Sequence, residues 1–262
     1  MPFEIIDFHT HPFTCNKNNI CSYAKHCKMT SDTTLELMNE HNVSKFCGSV
    51  ICMQNKFGLD NPWQAVKLSN DTALELSKIY NERYVPGFHI HPHYIRQSCE
   101  EIERMNKEGV KLIGELVPYI HNWTAEDYTV KELDEILDIA KDYNMTVSFH
   151  SSNSIFEDMI KKHPQITFVG AHPDEYDRYM YHLELLKKYD NYYIDLSGYG
   201  IFRQNMLRYG IDKVGVEKFL FGSDYPTCSL PMYIGAILLD SSISDTEKEY
   251  IFSKNAKRIL NL

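Results

Sequence analysis

Eight short apolar runs, each followed by a polar loop and an amphipathic stretch, constrain the fold of this chain more than any other feature. They fall at residues 3–8, 45–52, 84–89, 110–116, 146–149, 166–170, 192–196 and 219–222. Most are apolar at nearly every position, the pattern of strands buried on both faces. Helix signals lie between them. Asn61-Pro62 places proline at a first helical position. Ser98-Cys99-Glu100-Glu101, Thr129-Val130-Lys131-Glu132 and Ser244-Asp245-Thr246-Glu247 read as capping boxes. Gly109 is expected to stop the helix that Ser98 opens, and the last helix to run out through Ile251 and Ile259. Alternating strands and helices imply βαβ units and a parallel sheet. Eight such units in 262 residues favour one closed (β/α)8 TIM barrel spanning residues 1–262. An open doubly wound sheet would usually show a glycine-rich turn after strand one, and that position reads His9-Thr10-His11-Pro12.

Composition narrows the class. Apolar residues make up 43% and charged residues 24%, a balance that forms a core without disulfide help. The net charge of −9 argues against a nucleic-acid partner. No apolar run has the length of a membrane span, and the first residues carry no basic or apolar leader. Seven cysteines, an odd number without a C-x-x-C pair, read as free thiols rather than a zinc knuckle and point to a reducing, cytoplasmic setting.

In a barrel of this kind chemistry sits at the C-terminal ends of the strands. Strand one ends in Asp7-Phe8-His9-Thr10-His11, strand four in Gly114-Glu115 and strand five in His150. Strand six ends in Ala171-His172-Pro173 and strand eight in Gly222-Ser223-Asp224. Each signal alone has a bland explanation. With 12 histidines in the chain, roughly half an H-x-H pair arises by chance, and a strand-end carboxylate often serves a turn or ion pair. Together they bring four histidines and two carboxylates to one mouth, a donor set that suits zinc first, and also manganese, iron or nickel.

These motifs resemble the amidohydrolase superfamily over essentially the whole chain. The wording around Ile113-Gly114-Glu115 and Gly222-Ser223-Asp224-Tyr225-Pro226 is most similar to the amidohydrolase-related branch. The resemblance implies that His9, His11 and Asp224 hold one divalent metal. It implies that His150 and His172 hold a second, and that Glu115 bridges the two. Lys111, on the same strand, is expected deeper in the barrel. The activity implied is hydrolysis of an amide, ester or lactone in a small molecule by metal-activated water, with Asp224 as general base. In mononuclear relatives, which are non-oxidative decarboxylases like aminocarboxymuconate semialdehyde decarboxylase, the strand-six histidine acts as acid/base. That gives His172 a second possible role. Those decarboxylases tend to carry an arginine soon after the first histidine pair, where this chain reads Pro12-Phe13-Thr14-Cys15-Asn16. A metal-dependent deoxyribonuclease uses the same ligands, but the acidic charge counts against it. A non-enzymatic barrel would be expected to have lost some of them. No G-x-S-x-G elbow supports serine chemistry.

Substrate contacts are expected from Tyr119, His89 and Tyr199, with His91, His121, Trp123, Arg178 and Arg203 also near strand ends. No membrane is expected as partner, and a homodimer is compatible with the sequence.

Overall fold

The computed structural model describes residues 2–27, 29–123, 130–150, 154–201 and 203–262, without the side chains of 130, 131, 154 and 155. The strands are β1 (Ile5–Asp7), β2 (Val43–Ser49), β3 (Tyr84–Phe88), β4 (Leu112–Leu116), β5 (Thr146–Phe149), β6 (Thr167–Gly170), β7 (Tyr192–Asp195) and β8 (Phe219–Leu220). All eight expected strands are present, six of them shortened, β5 as expected and β2 shifted to start two residues earlier. Each pairs in parallel with the next, in the order β1 to β8. Phe8 N–H donates to Phe221 O at 2.9 Å and Thr10 bridges Tyr225, which joins β8 back to β1. The expected (β/α)8 TIM barrel is the observed architecture.

Helices α1 (Ser31–Glu40), α2 (Gln54–Phe57), α3 (Pro62–Tyr80), α4 (Ile95–Lys107), α5 (Val130–Asp142) and α6 (Ser154–Lys162) occupy the first five intervals, two of them between β2 and β3. Then come α7 (Tyr176–Lys188), α8 (Met206–Val214), α9 (Leu230–Leu238), α10 (Asp245–Glu249) and α11 (Asn255–Leu260). The Asn61 side chain caps α3 by accepting from Gln64 N, ahead of proline. Ser244 and Glu247 form the expected capping box of α10, which continues through a π turn at Tyr250–Lys254 into α11. Thr129 lies outside the described residues. Ser98 is a correction. It sits inside α4, and its hydroxyl accepts from His91 N (2.9 Å) and donates to His91 O (3.0 Å).

Strand alternation sorts the core into two shells. Ile6, Cys47, Leu112, Val169 and Leu220 form one cluster, closed by Ala256 and Leu260 of α11. Their chain neighbours Ile5, Phe46, Ile113, Phe168 and Phe219 belong to the larger cluster between sheet and helices. The inner set lines the barrel, and α11 plugs one of its ends. Thr146, the first residue of β5, donates to Ile259 O, so the plugged end is the N-terminal one. The opposite end is left for polar side chains.

One buried clamp ties α3 to that opposite end. Asn70 accepts from His89 N (2.7 Å) and donates to His89 O and to Glu101 Oε1 (both 2.9 Å). Replacing Asn70 by leucine strands these buried groups. We expect Asn70→Leu to lose about 1–3 kcal/mol in chemical denaturation, and an unchanged midpoint would contradict the clamp.

Candidate metal centre

The residues that leave the strands at the open end converge. His11 Nδ1 lies 2.9 Å from Ser49 O, and a carbonyl only accepts, so this nitrogen carries the proton and Nε2 faces inward. His9 Nε2 lies 3.2 Å from His11 Nε2. Glu115 reaches both because β4 shifts register between Ile113 and Leu116. With Leu112 inward and Ile113 outward, strict alternation would turn Glu115 outward, and the irregularity re-aims it. Its Oε2 lies 3.2 Å from both His9 Nε2 and His11 Nε2. Its Oε1 lies 2.6 Å from His150 Nδ1 and 3.4 Å from His172 Nε2. Asp224 stands one step off, with Oδ1 3.8 Å from His9 Nε2 and 3.6 Å from His11 Nε2. His172 (φ 70°) and Asp224 (φ 58°) adopt the left-handed conformation, uncommon for side-chain-bearing residues and concentrated at functional sites.

This donor set fits divalent metal. Donors bound at about 2.0–2.2 Å to one ion lie roughly 3–3.5 Å apart, as do His9, His11 and Glu115. Three close groups of donors occur among the described residues: His9, His11 and Glu115; Glu115, His150 and His172; and His9, His172 and Asp195. Glu115 belongs to the first two, one oxygen to each. Lys111 does not lie deeper in the barrel as expected. Its ammonium bonds Asn106 Oδ1 and Tyr143 O, groups at the C-terminal ends of α4 and α5, away from the cluster.

The other expected contacts separate. Tyr119 is 67% exposed, and its ring meets His150 edge-on at 5.7 Å. Tyr199 is equally exposed, and its carbonyl accepts from Asp174 N. His89 is closed off instead: Nε2 donates to Val50 O at 2.9 Å and the ring packs on His121, which is also buried. His91 and Trp123 are buried too. Arg178 pairs with Asp174, and Arg203 with Glu175, both on the exposed rim. Sequence reasoning missed Asp195, at the end of β7, which touches His9 Nδ1 at 2.9 Å. The only available signal was a carboxylate at the end of a strand. The seven cysteines are free, as expected. Cys228 directs its thiol at Asp224 Oδ2 (3.8 Å).

Burial alone would push the Glu115 carboxyl up, but the facing His9 and His150 outweigh it and hold it well below the usual carboxylate range. Burial would lower His9 and His172. Asp195 and Glu115 instead hold His9 well above its ordinary value, and Glu115 raises His172 to about 9. Burial lowers His89 to about 4. Metal binding requires unprotonated imidazole, so cations entering at neutral pH must displace protons from His9 and His172. Titration calorimetry of zinc or manganese in buffers of differing ionisation enthalpy should show proton release. Affinity should rise with pH up to about 9 and fall on acidification. Affinity independent of pH between about 6 and 9 would contradict this electrostatic picture.

A family model described as Amidohydrolase matches residues 54–262. Among curated proteins, none matches this sequence. Solved structures share the fold at low identity. One is 2,6-dihydroxybenzoate decarboxylase from Rhizobium, with TM-score 0.74, 15% identity and 99% of each chain covered. A second is 5-carboxyvanillate decarboxylase from Novosphingobium aromaticivorans, complexed with manganese and a nitrobenzoic acid. It has TM-score 0.72 and 14% identity, covering 100% of this chain and 97% of that one. A third is a probable 2-pyrone-4,6-dicarboxylic acid hydrolase from Acinetobacter baumannii, with TM-score 0.66 and 18% identity, covering 99% of this chain and 100% of that one. No helix among the described residues is long and apolar enough to cross a membrane. With four-fifths of its length matched, the chain belongs to the amidohydrolase family of enzymes.

Proposed function

We propose that this protein is a metal-dependent hydrolase that cleaves an amide, ester or lactone bond of a small molecule. The observation that carries the reading is the two-sided Glu115 carboxylate, with one oxygen toward His9 and His11 and the other toward His150 and His172. That arrangement suits two divalent ions, zinc or manganese, with Asp224 completing the His9/His11 side. The chemistry such ions supply when held there is Lewis acidity toward a carbonyl oxygen and acidification of water to near neutrality. The protein's own residues do the rest. Asp224 turns Oδ1 toward the two histidines and keeps Oδ2 on the Cys228 side. A carboxylate so placed takes a proton from the attacking water and returns it to the leaving group.

A second reading, non-oxidative decarboxylation, is favoured by the names of the solved structures of the same fold, several of which are decarboxylases of hydroxylated benzoates. Under it His172 would deliver the proton that replaces the lost carboxyl group. The two-sided Glu115 carboxylate supports hydrolysis over it, because it suits two ions rather than one.

Elemental analysis of protein purified without chelator should give about two metals per chain, falling to one or fewer in Glu115→Ala. One metal in both proteins would point to the mononuclear, decarboxylase-like arrangement. With lactone, ester and amide panels beside hydroxybenzoates, turnover of the former should fall about 10²–10⁴-fold in Asp224→Asn. Release of carbon dioxide from the latter, with no hydrolysis, would overturn the hydrolase reading.

A further inference from the structure

We propose that Asp195 and Ser197, at the end of the one strand among β4–β8 that supplies no residue to the six-residue cluster, fix the ring tautomers of His9 and His172 together and thereby aim both Nε2 atoms at Glu115. The inference rests on the metal-centre reading above and assigns its support to β7.

The argument is a count of protons. Asp195 is completely buried, and backbone N–H groups, which only donate, face its Oδ1, so that oxygen is an acceptor. Its Oδ2 lies 2.9 Å from His9 Nδ1. Its Oδ1 accepts from Ser197 N (3.0 Å), from His172 N (3.4 Å) and from the Ser197 hydroxyl. A serine hydroxyl has one proton, and here it goes to the carboxylate. The remaining lone pairs of Ser197 Oγ face His172 Nδ1 (2.9 Å) and His9 Nδ1 (3.0 Å). Both imidazoles must therefore donate from Nδ1. When neutral, each offers its lone pair at Nε2, which lies 3.2 Å (His9) and 3.4 Å (His172) from Glu115. The two rings stack with centroids 5.0 Å apart, so one device orients both.

Two glycines make room for it. A β-carbon at Gly198 (φ 61°) would stand 2.2 Å from His172 Nδ1, where no side chain fits. One at Gly222 would press on His9 Cβ (2.9 Å) and Ser197 Cβ (3.1 Å). The grouping of His9, His172 and Asp195 also has the spacing of a cation site. The proton count assigns it the other role, because Nδ1 of both rings is occupied by hydrogen.

Asp195→Asn tests the claim. The amide oxygen keeps the Oδ1 place, where Ser197 N, His172 N and the Ser197 hydroxyl donate, so the amide NH2 faces His9 Nδ1 and inverts that ring. In zinc-loaded protein with ¹⁵N-labelled histidine, the wild type should show His9 and His172 protonated at Nδ1 and metal-bound at Nε2. Asp195→Asn should lose the His9 pattern and bind zinc about 10–100-fold more weakly, with unchanged circular dichroism. Ser197→Ala, which removes only the hydroxyl, should release the His172 Nδ1 proton to fast exchange while sparing His9. It serves as the second variant should Asp195→Asn fail to fold. Unchanged ring patterns and zinc affinity in the foldable variants would overturn the positioning role and leave the metal centre standing. Metal bound at Nδ1 of His9 would also overturn it, making Asp195 a ligand. Failure of the wild type to bind zinc or manganese would instead sink the metal-centre reading on which it rests.

Discussion

Two imidazole nitrogens that face one another at 3.2 Å, with a carboxylate oxygen at the same distance from each, need a positive charge between them. Lone pairs alone repel at that separation, and burial removes the water that would screen them. The charge comes from protons or from metal ions, and everything around the barrel mouth serves to keep the donors in place until it arrives. α11 plugs the far end and the inner apolar shell fills the lumen, so the donor cluster has only the opposite end to occupy. The register shift in β4 turns Glu115 inward, and left-handed residues at positions 172 and 224 bring two side chains back over the strand ends.

The barrel was legible because strands buried on both faces read as continuous apolar runs. Their ends were not, since ladder pairing stops where residues turn to other partners. The run at 219–222 contracts to two paired residues, with Phe221 bonding Phe8 and Asp224 bonding His9 outside the ladder. The six cluster residues were legible from residue type and position together. Asp195 was not, because its partner His9 is 186 positions away and nothing in Ile194-Asp195-Leu196 sets it apart from a solvent-facing carboxylate.

The alternating histidines after β3 show the opposite failure. In sequence, His89 reads as a substrate contact, with His91 beside it at the strand end. In the fold, Asn70 from α3 and Ser98 from α4 grip the backbones of the two, and Val50 and His121 receive their side chains. The serine that reads as a helix cap is spent on this grip. Residue type thus picked out side chains that come together at five strand ends and failed to do so at the sixth, where packing partners from distant helices decide.

The central claim is that Glu115 separates two cation positions. Anomalous diffraction from crystals grown with manganese or zinc tests it directly. The account predicts two peaks about 3.5–4 Å apart, one beside His9, His11 and Asp224, the other beside His150 and His172, with the Glu115 carboxylate between them. A single peak, coordinated without Glu115 bridging to a neighbour, would contradict it.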